Sequence, residues 1–145
     1  MRVEESGQFA VPKPPAQVVE LLKNPEAVAK LIPGVTKVEK SGDEYVGEAT
    51  VKLGHLSGKM AVRFRYTYVG DDGVDVAGRA TGLQTTADFK ISARVEPSGG
   101  GSLVKWRFEG DARGLAASLA PSIVKNALRS MATEAVNNLA KYLSS

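Results

Sequence analysis

The sequence contains no cysteine, which excludes disulfides, thiolate metal ligands and thiol nucleophiles. It has one histidine, His55, set between glycines at 54 and 58. With no second histidine and no cysteine beside it, His55 has no metal-ligand set to join. Nor does it have a carboxylate to orient it as a general base, so it reads as an exposed turn residue. No apolar run approaches the roughly 20 residues of a membrane-spanning helix. The best run, Gly114 to Val124, is alanine-rich and broken by Pro121. The start, Met1-Arg2-Val3-Glu4-Glu5, lacks the apolar stretch of a secretory signal. Neither sign of charge dominates: 19 Lys and Arg stand against 16 Asp and Glu, a net +3 spread over many segments. Nucleic-acid binding is therefore not expected. Gly99-Gly100-Gly101 lacks the Lys-Ser/Thr of a phosphate-binding loop, and no nucleophile elbow is present. The adjacent pairs Glu4-Glu5 and Asp71-Asp72 read as solvated tail and turn charges, because neighbours on a strand point to opposite faces. The expectation is a cytoplasmic protein without metal or cofactor.

What is present is ordinary globular composition, 43% apolar and 24% charged over 145 residues, enough for one domain with a real core. Gln8 to Val11 reads as the end of a first strand, stopped by Pro12, Pro14 and Pro15. Pro15 and Pro25 suit the first turns of two short helices, the second ending at Ile32-Pro33-Gly34. Six strands are then predicted between Val35 and Asp111, separated by Gly-, Asp- and Ser-rich turns. Met60, Val62, Phe64, Tyr66 and Tyr68 alternate with Arg63, Arg65 and Thr67, the pattern of a half-buried antiparallel strand. Phe89, Ile91, Ala93 and Val95 repeat it, as do Val104, Trp106 and Phe108. Gly114 to Leu143 is predicted as one amphipathic helix, with Pro121 a kink or restart. Its polar side is read as Lys125, Arg129, Glu134, Asn138 and Lys141. The class is α+β, in the order β-α-α-β₆-α.

Several stretches resemble the CoxG-like family of carbon monoxide dehydrogenase subunits, within the START/Bet v 1-like (SRPBCC) superfamily. They are Phe9-Ala-Val-Pro-Lys-Pro-Pro-Ala-Gln-Val-Val, Asn24-Pro25-Glu26, Leu31-Ile-Pro-Gly34-Val35, Gly42-Asp43-x-Tyr45, the Lys52-Leu-Gly54 to Gly58 turn, Trp106, and Gly114-Leu115-Ala116. The resemblance covers nearly the whole chain. It implies a helix-grip fold, a curved antiparallel seven-stranded sheet wrapped around a long C-terminal helix. It also implies a hydrophobic ligand, lipid or quinone-like, held between sheet and helix. A further implication is service to a redox enzyme of the molybdenum hydroxylase or CO dehydrogenase type, with peripheral contact at the membrane. The chain ends at Ser145, so the extra C-terminal segment of longer members is not expected.

Geometry points the same way. Seven strands at roughly 4.8 Å spacing are about 33 Å wide, and one helix is roughly 10–12 Å across. One helix cannot fill such a trough. The expected ligand pocket is Met60, Val62, Phe64, Tyr66, Phe89, Ile91, Trp106 and Phe108 from the sheet, faced by Leu119, Ile123 and Met131 from the helix. The simpler alternative is that these residues pack on one another as core. Tyr66 and Tyr68 are the only titratable groups expected inside, so binding is favoured over a cyclase- or hydratase-like activity. A third reading is a solid interaction module, docking through Arg63, Arg65, Arg94, Lys105 and Arg107 on the outer face. Interspersed carboxylates are expected to break that surface up.

Overall fold

The computed structural model describes residues 1–145. β1 (Arg2–Val11) leads into α1 (Pro15–Leu22) and α2 (Pro25–Ala29). The strands β2 (Val35–Ser41), β3 (Glu44–Leu53), β4 (Leu56–Gly70), β5 (Gly73–Gly82), β6 (Thr85–Ser98) and β7 (Gly101–Arg113) follow as a meander. α3 (Leu115–Leu119) and α4 (Pro121–Ser144) end the chain. All seven strands form one antiparallel sheet in the order β1-β7-β6-β5-β4-β3-β2. The α+β class predicted from the sequence is observed, and so is the element order, except that the last helix is two.

Local chemistry explains most boundaries. Pro15, Pro25 and Pro121 each begin a helix, where a missing N–H leaves no bond unmade. The Asn24 side chain caps α2, accepting from the N–H groups of Glu26 (3.1 Å) and Ala27 (3.2 Å). Ala120 leaves the helical region at φ −138°, ψ 62°, so of the kink or restart expected at Pro121 it is the restart that occurs, giving two helices. Strand pairs close on two-residue turns more tightly than the sequence suggests. Gly99 and Gly100 hold the left-handed conformation that such a turn requires, at φ 53° and 87°. Leu83 and Gln84 adopt it without glycine, at φ 52° and 56°, a conformation costing about 1–2 kcal/mol per residue.

β1 starts at Arg2, and Gln8 to Val11 is its end, as predicted. Its pairing with β7 runs unbroken from Arg2 opposite Asp111 to Val11 opposite Ser102. Glu5 and Gly7 interrupt its apolar alternation, which hides its earlier part from pattern reading. Gly7 has a packing reason to be there, since a Cβ on it would stand 3.0 Å from the Trp106 ring.

The core is divided. One cluster joins Val11, Val18, Val19, Leu22, Val74, Ala93, Val95, Val104 and Leu143, with Phe9, Tyr66 and Leu139 packed against it. The other joins Ala49, Val51, Leu53, Met60, Ala87, Ala112, Ala117 and Val124, with Val62, Leu128 and Met131 beside it. α4 spans the two, lying mainly along β1, while α1 lies over β5, β6 and β7.

Candidate functional site

The strand registers order the inner face into rows, and the two middle rows carry the site. One row runs Tyr45, Phe64, Gly78, Phe89, Gly110 and Val3 across the sheet. The next runs Tyr66, Val76, Ile91, Phe108 and Glu5. Phe64, Phe89, Ile91 and Phe108 are all half-buried and belong to neither core cluster. Large apolar side chains ordinarily lead the buried core. Here valine and alanine fill the core, and the larger residues form a band between its two halves.

Glycine lets the rings lie down. A Cβ on Gly78 would overlap the Phe89 ring, and one on Gly110 would stand 3.1 Å from Phe108 Cζ and 3.6 Å from Leu128 Cδ1. The aromatic side chains thus fold along the sheet into spaces that glycine leaves open, instead of standing up toward α4. On α4, Ala132, Ala135 and Val136 are half-buried and in neither cluster, between Met131 and Leu139. Small residues on the helix and larger, flattened rings on the sheet thus stand outside both core clusters.

The predicted pocket residues divide among these places. Phe64, Phe89, Ile91 and Phe108 lie together on the middle rows. Met60 is buried in one cluster, with Val62 and Met131 at its edge. Tyr66 packs at the edge of the other, and Trp106 lies one row further along, opposite Ala93 and Gly7. Leu119 does not face the sheet set. It is 76% exposed at the end of α3, because the break at Ala120 and Pro121 separates that turn from the helix that covers the sheet. Ile123 is 42% exposed and meets the β3–β4 turn, its Cδ1 lying 3.2 Å from where a Cβ on Gly54 would sit. His55 is exposed in that same turn.

Tyr68 is on the outer face, not the inner one. The pairing of β4 with β5 shifts between Tyr66 and Tyr68, so Tyr66 pairs with Val76 and Tyr68 with Asp75. Such a bulge flips every side chain beyond it. The Tyr68 hydroxyl donates to Asp72 at 2.6 Å, and the Arg94 guanidinium lies 4.6 Å from its ring centre. The hydrogen bond to Asp72, ahead of other effects, raises its pKa. Tyr66 stays inside, and its hydroxyl donates to the Leu22 carbonyl at 2.7 Å. Burial, with a smaller contribution from Tyr45, pushes its pKa up to about 12. A phenol so held neither releases a proton near neutrality nor has its donor free.

Three members of the site escape the sequence reading. Tyr45 stacks on Phe64 with ring centres 5.3 Å apart and meets Tyr66 edge-on at 6.3 Å. Its inward parity is obscured by Gly47 and Ala49 further along β3. The other two are Glu5 and Arg129. Glu5 sits on the inner face opposite Phe108, and Arg129 of α4 reaches it, Nε to Oε1, at 2.9 Å. Glu5 is half-buried rather than the solvated tail charge expected of it, and Arg129 is exposed as expected but paired to it.

The outer face is a ladder of ion pairs. Arg63 meets Glu44 at 3.0 Å, Arg94 meets Asp75 at 2.9 Å, Arg107 meets Glu109 at 2.9 Å and Lys105 meets Glu96 at 3.3 Å. The hydrogen bond from Arg94 holds Asp75 below the usual carboxylate range, and those from Arg79 and then Arg113 do so for Asp88. A shallow concavity of about 540 Å³ on this face mixes Arg63, Arg65 and Lys90 with Glu44, Asp88 and Glu109. A second, of about 800 Å³, lies among α1, α2 and the end of α4, lined by residues such as Lys13, Glu20, Asn24 and Tyr142. Both are lined mainly by polar residues, and the first also takes in Gly78, Phe89 and Gly110 of the aromatic row. The outer surface carries no uninterrupted basic face of the kind an interaction module needs. No helix is long and apolar enough to cross a membrane.

Comparison with known proteins places this geometry. Residues 7–144 match the model of the CoxG family, described as a subunit of carbon monoxide dehydrogenase. A search of curated proteins returns no match. Among solved structures, a conserved protein from Geobacillus kaustophilus superposes with a TM-score of 0.80 at 14% identity, over 97% of this chain and 95% of that one. The Zhui aromatase/cyclase from Streptomyces sp. R1128 gives 0.69 at 12% identity, over 99% and 94%. Ara h 8.0201 gives 0.66 at 16%, over 99% and 98%. At these identities the likeness speaks for the fold, the Bet v 1-like helix-grip.

Proposed function

The chain belongs to the CoxG family of carbon monoxide dehydrogenase subunits, and from that premise we propose that it binds and carries a hydrophobic small molecule, lipid or quinone-like, between sheet and helix, in the service of a CO dehydrogenase-type redox enzyme. The observation that carries the reading is the band of Phe64, Phe89, Ile91 and Phe108, half-buried on the inner face and left out of both core clusters. Burying ten ligand methylenes against it gains about 8 kcal/mol, at roughly 0.8 each. Association and ordering costs remove several of these. The remainder, about 4–5 kcal/mol, corresponds to binding between about 0.2 and 1 mM without any special contact.

A catalytic reading draws no support from the site. Its one inward phenol with a shifted pKa, Tyr66, donates to a backbone carbonyl. The peripheral membrane contact implied by the family is the natural route by which such a ligand is collected. The test is a titration of the single tryptophan, Trp106, with a quinone and a fatty acid. Carriage predicts a saturable change in fluorescence that Phe89→Ala weakens. A flat response across several lipid classes removes the reading.

A further inference from the structure

We infer that the Glu5–Arg129 pair is the polar end of this binding site, and that it selects a ligand with a neutral carbonyl head over one with a carboxylate. The inference rests on the carriage reading above and adds the chemistry of the ligand's head.

Glu5 is the fifth member of the row Tyr66, Val76, Ile91, Phe108, so its side chain continues an apolar floor. Arg129 approaches from the helix above, Nε to Oε1 at 2.9 Å. The pair therefore bridges floor and roof at the β1 side of the aromatic band. Their side chains are 32% and 47% exposed, which sets them at its margin, where a ligand's head meets water. Arg129 has no second carboxylate and no backbone carbonyl as partner. A guanidinium has five N–H donors in a planar fork, so donors remain beside the ion pair with Glu5. A neutral carbonyl oxygen can accept from them. A carboxylate would compete with Glu5 for the same cation and be repelled by it across a few ångströms. The Tyr66 hydroxyl, the other polar group on this row, is already committed to Leu22.

Calorimetric titration with tridecane, a tridecanone and tridecanoic acid tests this at neutral pH, with the full chain and its Arg129→Met and Glu5→Gln variants. The wild type should bind the ketone about tenfold tighter than the alkane, as one hydrogen bond to a charged donor warrants, and the acid no tighter than the ketone. Arg129→Met should bring the ketone down to the alkane's affinity and leave the alkane unchanged. Glu5→Gln should raise the acid about tenfold. If Arg129→Met weakens alkane and ketone in equal proportion, the pair is a latch between helix and sheet and the inference falls while carriage stands. Equal ketone affinity in wild type and Arg129→Met overturns it likewise. If the wild type binds none of the three, carriage fails and takes this inference with it.

Discussion

The flattened aromatic rings make a prediction about two glycines that a sequence alignment would treat as alike. Gly78 and Gly110 lie on one row, on either side of Phe89. Alanine at 110 places a methyl group 3.1 Å from Phe108 Cζ and 3.6 Å from Leu128 Cδ1. Ordinary carbon contacts are about 3.5–4.0 Å, so the ring must yield by about half an ångström, and a half-buried side chain can do so. Removing glycine from a strand gains about 0.5–1 kcal/mol, and mild overpacking costs about 1 kcal/mol. The two nearly cancel. Alanine at 78 also overlaps a ring, that of Phe89, but in addition stands 2.7 Å from the Arg63 carbonyl oxygen. That oxygen belongs to the paired backbone of β4 and cannot withdraw without disturbing the sheet. A cost of about 2–3 kcal/mol follows. In thermal denaturation, Gly110→Ala should shift the midpoint by no more than about 4 °C, and Gly78→Ala should lower it by about 6–10 °C. Equal midpoints, or the larger loss at 110, would refute the close approach of the Arg63 carbonyl to position 78.

Other expectations follow from single contacts. Tyr66 has its pKa raised to about 12 from 10.0, so the folded state is favoured while the phenol is neutral. Stability should hold below pH 10 and decline between pH 10 and 12. Tyr66→Phe should lose about 1 kcal/mol near neutrality with its bond to Leu22 and flatten part of that alkaline decline, as urea titrations at a series of pH values would reveal. Tyr68→Ala, outside the sheet, should leave ligand affinity unchanged by tryptophan titration; a loss comparable to that of Phe89→Ala would contradict its outward placement. The Asn138 side chain donates to the Leu31 carbonyl at 2.8 Å, tethering α4 to the end of α2. Asn138→Ala should cost about 1 kcal/mol and speed amide exchange in residues 30–34, and unchanged exchange there would count against the tether.

The fold is legible in the sequence because its strands alternate and its hairpin turns carry or adjoin glycine, although Leu83 and Gln84 themselves take the left-handed conformation without it. Helix starts are legible too, since Pro15, Pro25 and Pro121 announce them. The site is legible in parity but not in detail. Phe64, Phe89, Ile91 and Phe108 share a face by simple alternation, whereas alternation misplaces Tyr68 because a one-residue bulge leaves no compositional mark. Leu119 satisfies helical spacing on paper, and the backbone break one residue later turns it to solvent. Glu5 and Arg129 escape notice for a different reason. Each is a charged residue whose natural reading is solvent, and only the register of β1 against β7 brings one beneath the other. Long-range pairing of that kind is not written in any local pattern.

The central claim is that the aromatic band receives a guest. A crystal structure of the protein purified from its own source, with native mass spectrometry on the same sample, tests it most directly. The account predicts elongated density across Phe64, Phe89, Ile91 and Phe108, and a mass exceeding that of the bare chain by one small hydrophobic molecule. The bare mass alone, with α4 side chains packed down onto those four residues and no space between, would contradict it.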